Sequence, residues 1–532
     1  MKINYKIFGL VMFVMLVCCV SAVSAADVDN ITVPDDTSVI EIDEAVDSVE
    51  DIESDEISDY TDDSLEEVGS DEISDDVNVD SNKSMINQGN LRSPAKINGN
   101  TNIYNYFTTA GILKNNVGNT FTFSGDFYKT SYSFTNFKIN RAVTINAVGA
   151  TFHDMGFELS NSAITLNGAT FIMNAPEDED CILINVNNAA NSVISNNVIT
   201  YNCSYANAEN YNHVIRVVES DSVEVSGNTI NAYLPLKDVD FNQPYPSIYT
   251  DLVAGVAVES SSNFVFENNK LYVNVSRNST GFPTLDAFII ANSEDAYIGN
   301  NTIVEIDNKT LPGNNNYLYA VDVYACDGAV IEDNKITLHS EGGSIISGTN
   351  NGTGAAYGIQ LTGPHTVTIS NNIINTANNG PNCGIYSQNF NGDSFLTIVD
   401  NTIYVEGNAS SSHSWSLVTG MELQDNEAYV AGNTITVYNK ETYTDGDNVY
   451  GISFSQYGNA VPTFEITNNT VNVINGKYAV YVQYSTSSSS VYENCLYTDY
   501  YCGDDAVGGN INYYGNYCPQ CNCNNCTCQH SP

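Results

Sequence analysis

The chain has 532 residues, with 63 Asp or Glu against 17 Lys or Arg and a formal net charge of −46. So few cations argue against a nucleic-acid partner, which is held by cationic contacts to phosphates, and against a polyanionic glycan held in a basic groove. Neutral glycans and cation-bridged partners stay compatible, and the charge suits a solvent-exposed surface protein.

Residues 1–25 read as a signal peptide. Lys2 and Lys6 supply the basic start, residues 7–20 the apolar stretch, and Val23-Ser24-Ala25 a small-residue cleavage site. No later run of about 18 apolar residues follows, so no membrane span is expected after cleavage. The mature chain is expected to be secreted or held at the cell surface, as a monomer or surface-attached. Residues 26–94 form an acidic disordered spacer. Between 27 and 80 there are 23 acids and no Lys or Arg, a composition that self-repels and cannot offset its ordering entropy. Residues 95–141 are assigned as an N-terminal cap, because a solenoid exposes an apolar end unless something covers it. Residues 104–113 are expected to form a short amphipathic helix there.

A short phrase then recurs ten times: a polar pair ending in Asn, one variable residue, and one aliphatic. It runs from Asn196-Asn197-Val198-Ile199 to Glu493-Asn494-Cys495-Leu496. The anchoring residues are Asn197, Asn228, Asn269, Asn301, Asn334, Asn372, Asn401, Asn433, Asn469 and Asn494, spaced by 25 to 41 residues. Such a period means stacked units. Each unit holds three short runs alternating in polarity, such as Gly255-Val256-Ala257-Val258, Asn263-Phe264-Val265-Phe266 and Leu271-Tyr272-Val273. These are strands with one buried face. Three strands per turn, stacked in parallel at about 4.8 Å, predict an all-β, parallel β-helix over 142–500. The anchoring Asn is expected to occupy the left-handed position of a tight turn and to stack into a hydrogen-bonded ladder.

Residues 501–532 are a Cys-rich tail. Cys518, Cys521, Cys523, Cys526 and Cys528 fall within 11 residues, with Cys502 upstream. CxxC and CxC spacing suits zinc or a cluster. Export makes disulfides the ordinary reading, and a reactive thiol tail is the third. Cys181, Cys203, Cys326 and Cys383 are scattered and read as buried packing residues.

The repeat resembles the right-handed parallel β-helix, or pectin-lyase-like, superfamily. Together with the leader, the acidic spacer and the Asn- and Tyr-rich coils, the chain also resembles adhesin-like surface proteins of methanogenic archaea. The resemblance covers residues 140–500. It implies an adhesin that binds glycans or partner-cell surfaces through its solenoid face and loops. It also implies two alternatives: a polysaccharide lyase or glycoside hydrolase, and a structural envelope component.

Aligning the coils puts Leu183, Arg216, Ala257, Ile289, Asp322, Gln360, Tyr386, Glu422, Ser453 and Tyr481 at one outward position. A glycosidase needs two carboxyl groups within about 10 Å, and Asp322 and Glu422 stand three coils apart, about 14 Å. Hydrolases of the fold carry paired Asp with a His and an Arg-x-Lys, and no such set is found. Its lyases place an Arg base beside acidic calcium ligands, which implies a weak catalytic cluster of Arg216, Glu219 and Glu259. Of the 35 Tyr, Tyr324, Tyr386, Tyr457, Tyr481 and Tyr484 are the ligand-binding candidates, since Tyr offers an apolar face and a hydroxyl; Tyr equally suits strands. No cofactor is assigned with certainty. Calcium on Pro176-Glu177-Asp178-Glu179-Asp180 and zinc on the tail are the two metal readings. Eleven Asn-X-Ser/Thr sequons are candidate glycan sites, with Asn300 and Asn468 expected to be enclosed.

Overall fold

A computed structural model describes residues 94–176, 179–203, 211–234, 253–275, 284–307, 317–341, 355–363, 366–389, 394–409, 417–424, 427–440, 448–455, 463–483, 488–509, 511–520 and 523–524. The leader and the acidic spacer lie outside them.

Alternation of apolar and polar residues gives each coil its three strands. One coil runs through Val253–Glu259, Val265–Glu267 and Lys270–Val275. These belong to what we call the first, second and third sheets. Each strand pairs in parallel with its counterpart in the next coil. The first sheet has 13 strands, from Asn136–Ile139 to Val507–Gly509. Parallel strands joined by crossovers take the right-handed sense because strands themselves twist that way. The architecture is a right-handed parallel β-helix.

The aliphatic residue of the phrase lines the interior of the third sheet. Register aligns Ile199, Ile230, Leu271, Ile303, Ile336 and Ile374, and continues to Leu496. The first sheet packs close against this row. A Cβ on Gly420 would fall 2.4 Å from Ile435 Cγ2, and one on Gly451 would fall 2.1 Å from Val471 Cγ1. The glycine that recurs within the first strands is therefore a matter of space.

The tight turn between the second and third sheets is built differently from the expectation. The left-handed residue is the one before the anchoring Asn: Asn196, Gly227, Asn268, Asn300, Asp333, Asn371, Asp400, Gly432, Asn468 and Glu493, with φ between 52° and 70°. The anchoring Asn is buried, and its side chain points along the stack. Nδ2 of each donates to Oδ1 of the next at 2.9–3.2 Å. The backbone N–H of each reaches the same Oδ1. Nδ2 also meets a carbonyl of the preceding coil, as Asn372 does with Ile331. Buried amides are thus satisfied coil to coil without water. The ladder gains an eleventh member, Asn516, and ends on Asp504 Oδ1 at 2.9 Å.

Both ends extend further than the sequence suggested. The expected helix over 104–113 is absent. A 3₁₀ turn at Ile103–Asn105 stands there, because Gly111 takes a left-handed φ of 76° and Thr108 and Thr109 are β-branched and favour extended backbone. Thr120–Tyr128 pairs with both Val143–Asn146 and Ala150–His153, so the cap already continues two sheets. Rings fill this end: Phe123, Phe137, Phe152 and Phe157 meet at centroid distances of 5.1–6.4 Å. At the other end a thirteenth coil, Val507–Gly509, Asn512–Tyr514 and Tyr517–Cys518, runs into the region assigned to the tail.

Candidate functional site

The outward positions of the first sheet align by register as Asn185, Arg216, Ala257, Ile289, Asp322, Gln360, Tyr386, Glu422, Ser453 and Tyr481. Asn185 replaces Leu183, which falls at an unpaired, fully buried position two residues earlier. Asp322 and Glu422 stand three strand spacings apart, about 14 Å.

Of the Arg216, Glu219 and Glu259 cluster, two members meet. Arg216 Nη2 lies 3.8 Å from Glu259 Oε2, and its guanidinium sits 4.7 Å above the Tyr211 ring. His213, Val218 and Ile289 complete a shallow depression around the pair. Glu219 takes a left-handed turn, φ 48°, where its backbone N–H donates to the Glu259 carbonyl and its side chain is exposed. An Arg held by one half-exposed carboxylate and one ring is a loose ion pair.

The tyrosines of this face are turned onto one another. Tyr450 and Tyr481 stack at 4.7 Å and 10°, Tyr478 joins them at 5.7 Å from Tyr481, and Tyr386 leans on Tyr357 at 5.1 Å. Their faces are engaged by neighbouring rings, and Tyr386 and Tyr481 remain half-buried. Tyr324 is exposed on the adjoining outward row. Tyr457 and Tyr484 lie outside the described residues.

Glu422 is the most unusual group on the face, being 3% exposed on the outside of the solenoid. Ser455 Oγ donates to its Oε1 at 2.6 Å, while Oε2 meets no donor among the described residues. Burial raises its carboxyl above the usual range, against the pull of Ser455, Ser453 and Gln424. Thr419 and Cys383, aligned with each other in the neighbouring row, are also buried. Burial, then the Glu422 charge, pushes the Cys383 thiol well up. Sequence reasoning passed over Thr419 and read Cys383 as packing. Their pairing follows from register between coils, which insertions of unequal length conceal.

Among the described residues, no three His, Cys, Asp or Glu side chains converge as a metal-ligand set. In the acidic loop Asp180 Oδ1 accepts the Tyr211 N–H at 2.9 Å, and Glu177 and Asp178 lie outside the described residues. In the tail, Cys502 and Cys518 are buried. Tyr517–Cys518 pairs antiparallel with Cys523–Asn524, setting Cys518 opposite Cys523 on the backbone. Cys521, Cys526 and Cys528 lie outside the described residues. Asn300 and Asn468 are exposed rather than enclosed, because the left-handed residue of the turn projects outward. No helix of the described residues is long and apolar enough to cross a membrane.

The chain matches no known protein-family profile and no curated protein. Solved structures resemble it at low identity. One is DFA-IIIase from Arthrobacter chlorophenolicus A6 in complex with DFA-III, with a TM-score of 0.35 at 11% identity over 64% of this chain and 76% of that one. Another is the A-module of the mannuronan C-5 epimerase of Azotobacter vinelandii, with a TM-score of 0.31 at 11% identity over 78% of this chain and 99% of that one. The fold rests on the strand pairing itself.

Proposed function

We propose that the chain is an exported, surface-held protein that binds neutral glycans along the outer face of its first sheet. The observation that carries this reading is the row from Asp322 through Gln360, Tyr386, Glu422 and Ser453 to Tyr481. Its partly exposed members, Gln360, Tyr386 and Tyr481, offer an amide and two hydroxyls; Asp322, Glu422 and Ser453, interspersed among them, are buried, and the row contains no Lys or Arg. Such groups exchange hydrogen bonds with sugar hydroxyls. With Tyr481 stacked on Tyr450 and Tyr386 tilted against Tyr357, recognition falls to hydroxyls and ring edges. The leader and acidic spacer supply export and reach.

A second reading is carbohydrate chemistry, favoured by Glu422: burial raises its carboxyl above the usual range, which suits a proton donor. One experiment separates the two. The full chain is incubated with plant, host and microbial polysaccharides, with and without calcium, following retention, new reducing ends and unsaturated products. Binding predicts saturable retention without products, weakened at least tenfold in a Tyr386→Ala/Tyr481→Ala variant. Products that vanish in Glu422→Gln would replace binding by catalysis. Neither retention nor products would leave a structural envelope role.

A further inference from the structure

The third sheet has an outer face that no reading so far has used. Its exposed large side chains include Val198, Tyr233, Tyr272, Ile373 and Tyr404, five of the twelve exposed among the described residues. Soluble proteins seldom leave such side chains gathered on one face without a use for them. The face spans ten strands, from Val198–Cys203 to Cys495–Thr498. Nine spacings make it about 43 Å long.

Its charge is the second observation. The first two outward positions of these ten strands carry no Asp or Glu, and their only charges are Lys270 and Lys335. The rest are mostly Thr, Asn, Tyr and Val. The adjacent second sheet, of the same length, turns Glu224, Glu267, Glu332 and Glu465 outward. Acids are thus missing from these two outward rows of a chain that carries 63 of them, Glu406 standing one row further along.

The aromatics also differ from those of the first sheet. Tyr272 and Tyr404 occupy the same outward row, four strand spacings apart, about 19 Å. Between them register puts Val304, Thr337 and Asn375. The Tyr404 hydroxyl donates to Glu406 Oε2 at 3.2 Å, which holds the ring while leaving it 37% exposed.

We infer that the outer face of the third sheet is a docking surface for one extended neutral polysaccharide chain, separate from the row on the first sheet. A polymer fits because the face repeats over ten coils, whereas a small ligand would touch only one or two. Neutrality fits because two lysines cannot hold a polyanion against a net charge of −46, and the one carboxylate beside the Tyr404 ring, Glu406, is already engaged by Tyr404 and Lys440. Tyr rings cover the apolar faces of sugars, and Thr and Asn supply both donors and acceptors. The inference rests on the glycan reading for its ligand class but not for its site.

The test uses the full chain and suspensions of cellulose and chitin as insoluble neutral probes. Retention on at least one is expected, falling tenfold or more in Tyr272→Ala/Tyr404→Ala. It should fall also in Thr302→Glu/Thr434→Glu, which restores acid to the face without removing a ring. All four positions lie on the outer surface, so unchanged thermal melting is expected and verifies the fold. Tyr386→Ala/Tyr481→Ala should leave this retention intact. Retention lost only in that first-sheet variant would overturn the inference while keeping the glycan reading. No retention of the wild type on either probe would overturn the inference, and soluble-glycan binding would then judge the first-sheet reading by itself. If the third-sheet variants instead convert a dimer to a monomer with retention unchanged, the face is a self-association surface and the inference fails.

Discussion

The turn between the second and third sheets and the outer face of the first sheet both repeat once per coil, yet they repeat different things. In the turn the residue itself recurs, and eleven Asn side chains bond to one another from Asn197 to Asn516. On the face only the position recurs, and its occupant changes from Arg216 to Asp322, Tyr386, Glu422 and Tyr481. A side chain that must bond to its own copy above and below cannot vary. A side chain that meets solvent or a ligand is free to. The ladder therefore belongs to the scaffold, and the face is where this chain is individual.

The comparison breaks most readily at the ladder. Asn372→Ala would remove the partner of Asn334 Nδ2 and backbone N–H, and of the Ile331 carbonyl. Each buried group left unpaired costs about 1–3 kcal/mol, so a loss of about 3 kcal/mol or more is expected in urea unfolding. Asn372→Asp should recover part of it, because a carboxylate still accepts those bonds but cannot donate to Ile331. If Asn372→Ala proves no worse than Thr402→Ala on the exposed face, the ladder is not what holds the coils in register.

Much of this was legible in the residues. The ten Asn and the alternating runs are local signals, and they lead directly to coils, strand number and ladder. What lay between coils was not. In a pair such as Asn196-Asn197 either residue tolerates the left-handed region; Gly227 and Gly432, standing first in their pairs, were the clue that the first one does. Asn516 was missed because Tyr517 and Cys518 replace the variable and aliphatic residues, although Gly515 carries the same left-handed φ, 70°. Alternation reports that Tyr481 points outward. It does not report that Tyr450, from the coil before, stacks on it.

On the first-sheet face the effect is smaller and depends on pH. Burial raises the Glu422 carboxyl in the folded chain, so folding favours its protonated form. Its contribution is fully present below the ordinary glutamate range and is lost as pH rises through the folded pKa. Each unit of separation is worth about 1.4 kcal/mol. Glu422→Gln should therefore gain stability over the wild type at pH 7 and lose that advantage near pH 3.5, followed by thermal melting. An advantage that does not change with pH would mean that Glu422 is solvated, and the case for it as a proton donor would fail.

The smallest effect is expected at Arg216, and it sharpens the contrast most. Its ion pair with Glu259 spans 3.8 Å with Glu259 half-exposed, and its ring contact is with Tyr211. Exposed pairs of this kind contribute about 0.2–1 kcal/mol. Arg216→Ala should shift the urea midpoint little and leave glycan retention unchanged, since the Asp322 to Tyr481 row begins three coils further on. Loss of a glycan-cleaving activity in Arg216→Ala, with stability intact, would move the centre of the face toward its N-terminal coils. The row would then be a path leading sugar toward Arg216, and the guanidinium there would be its chemistry.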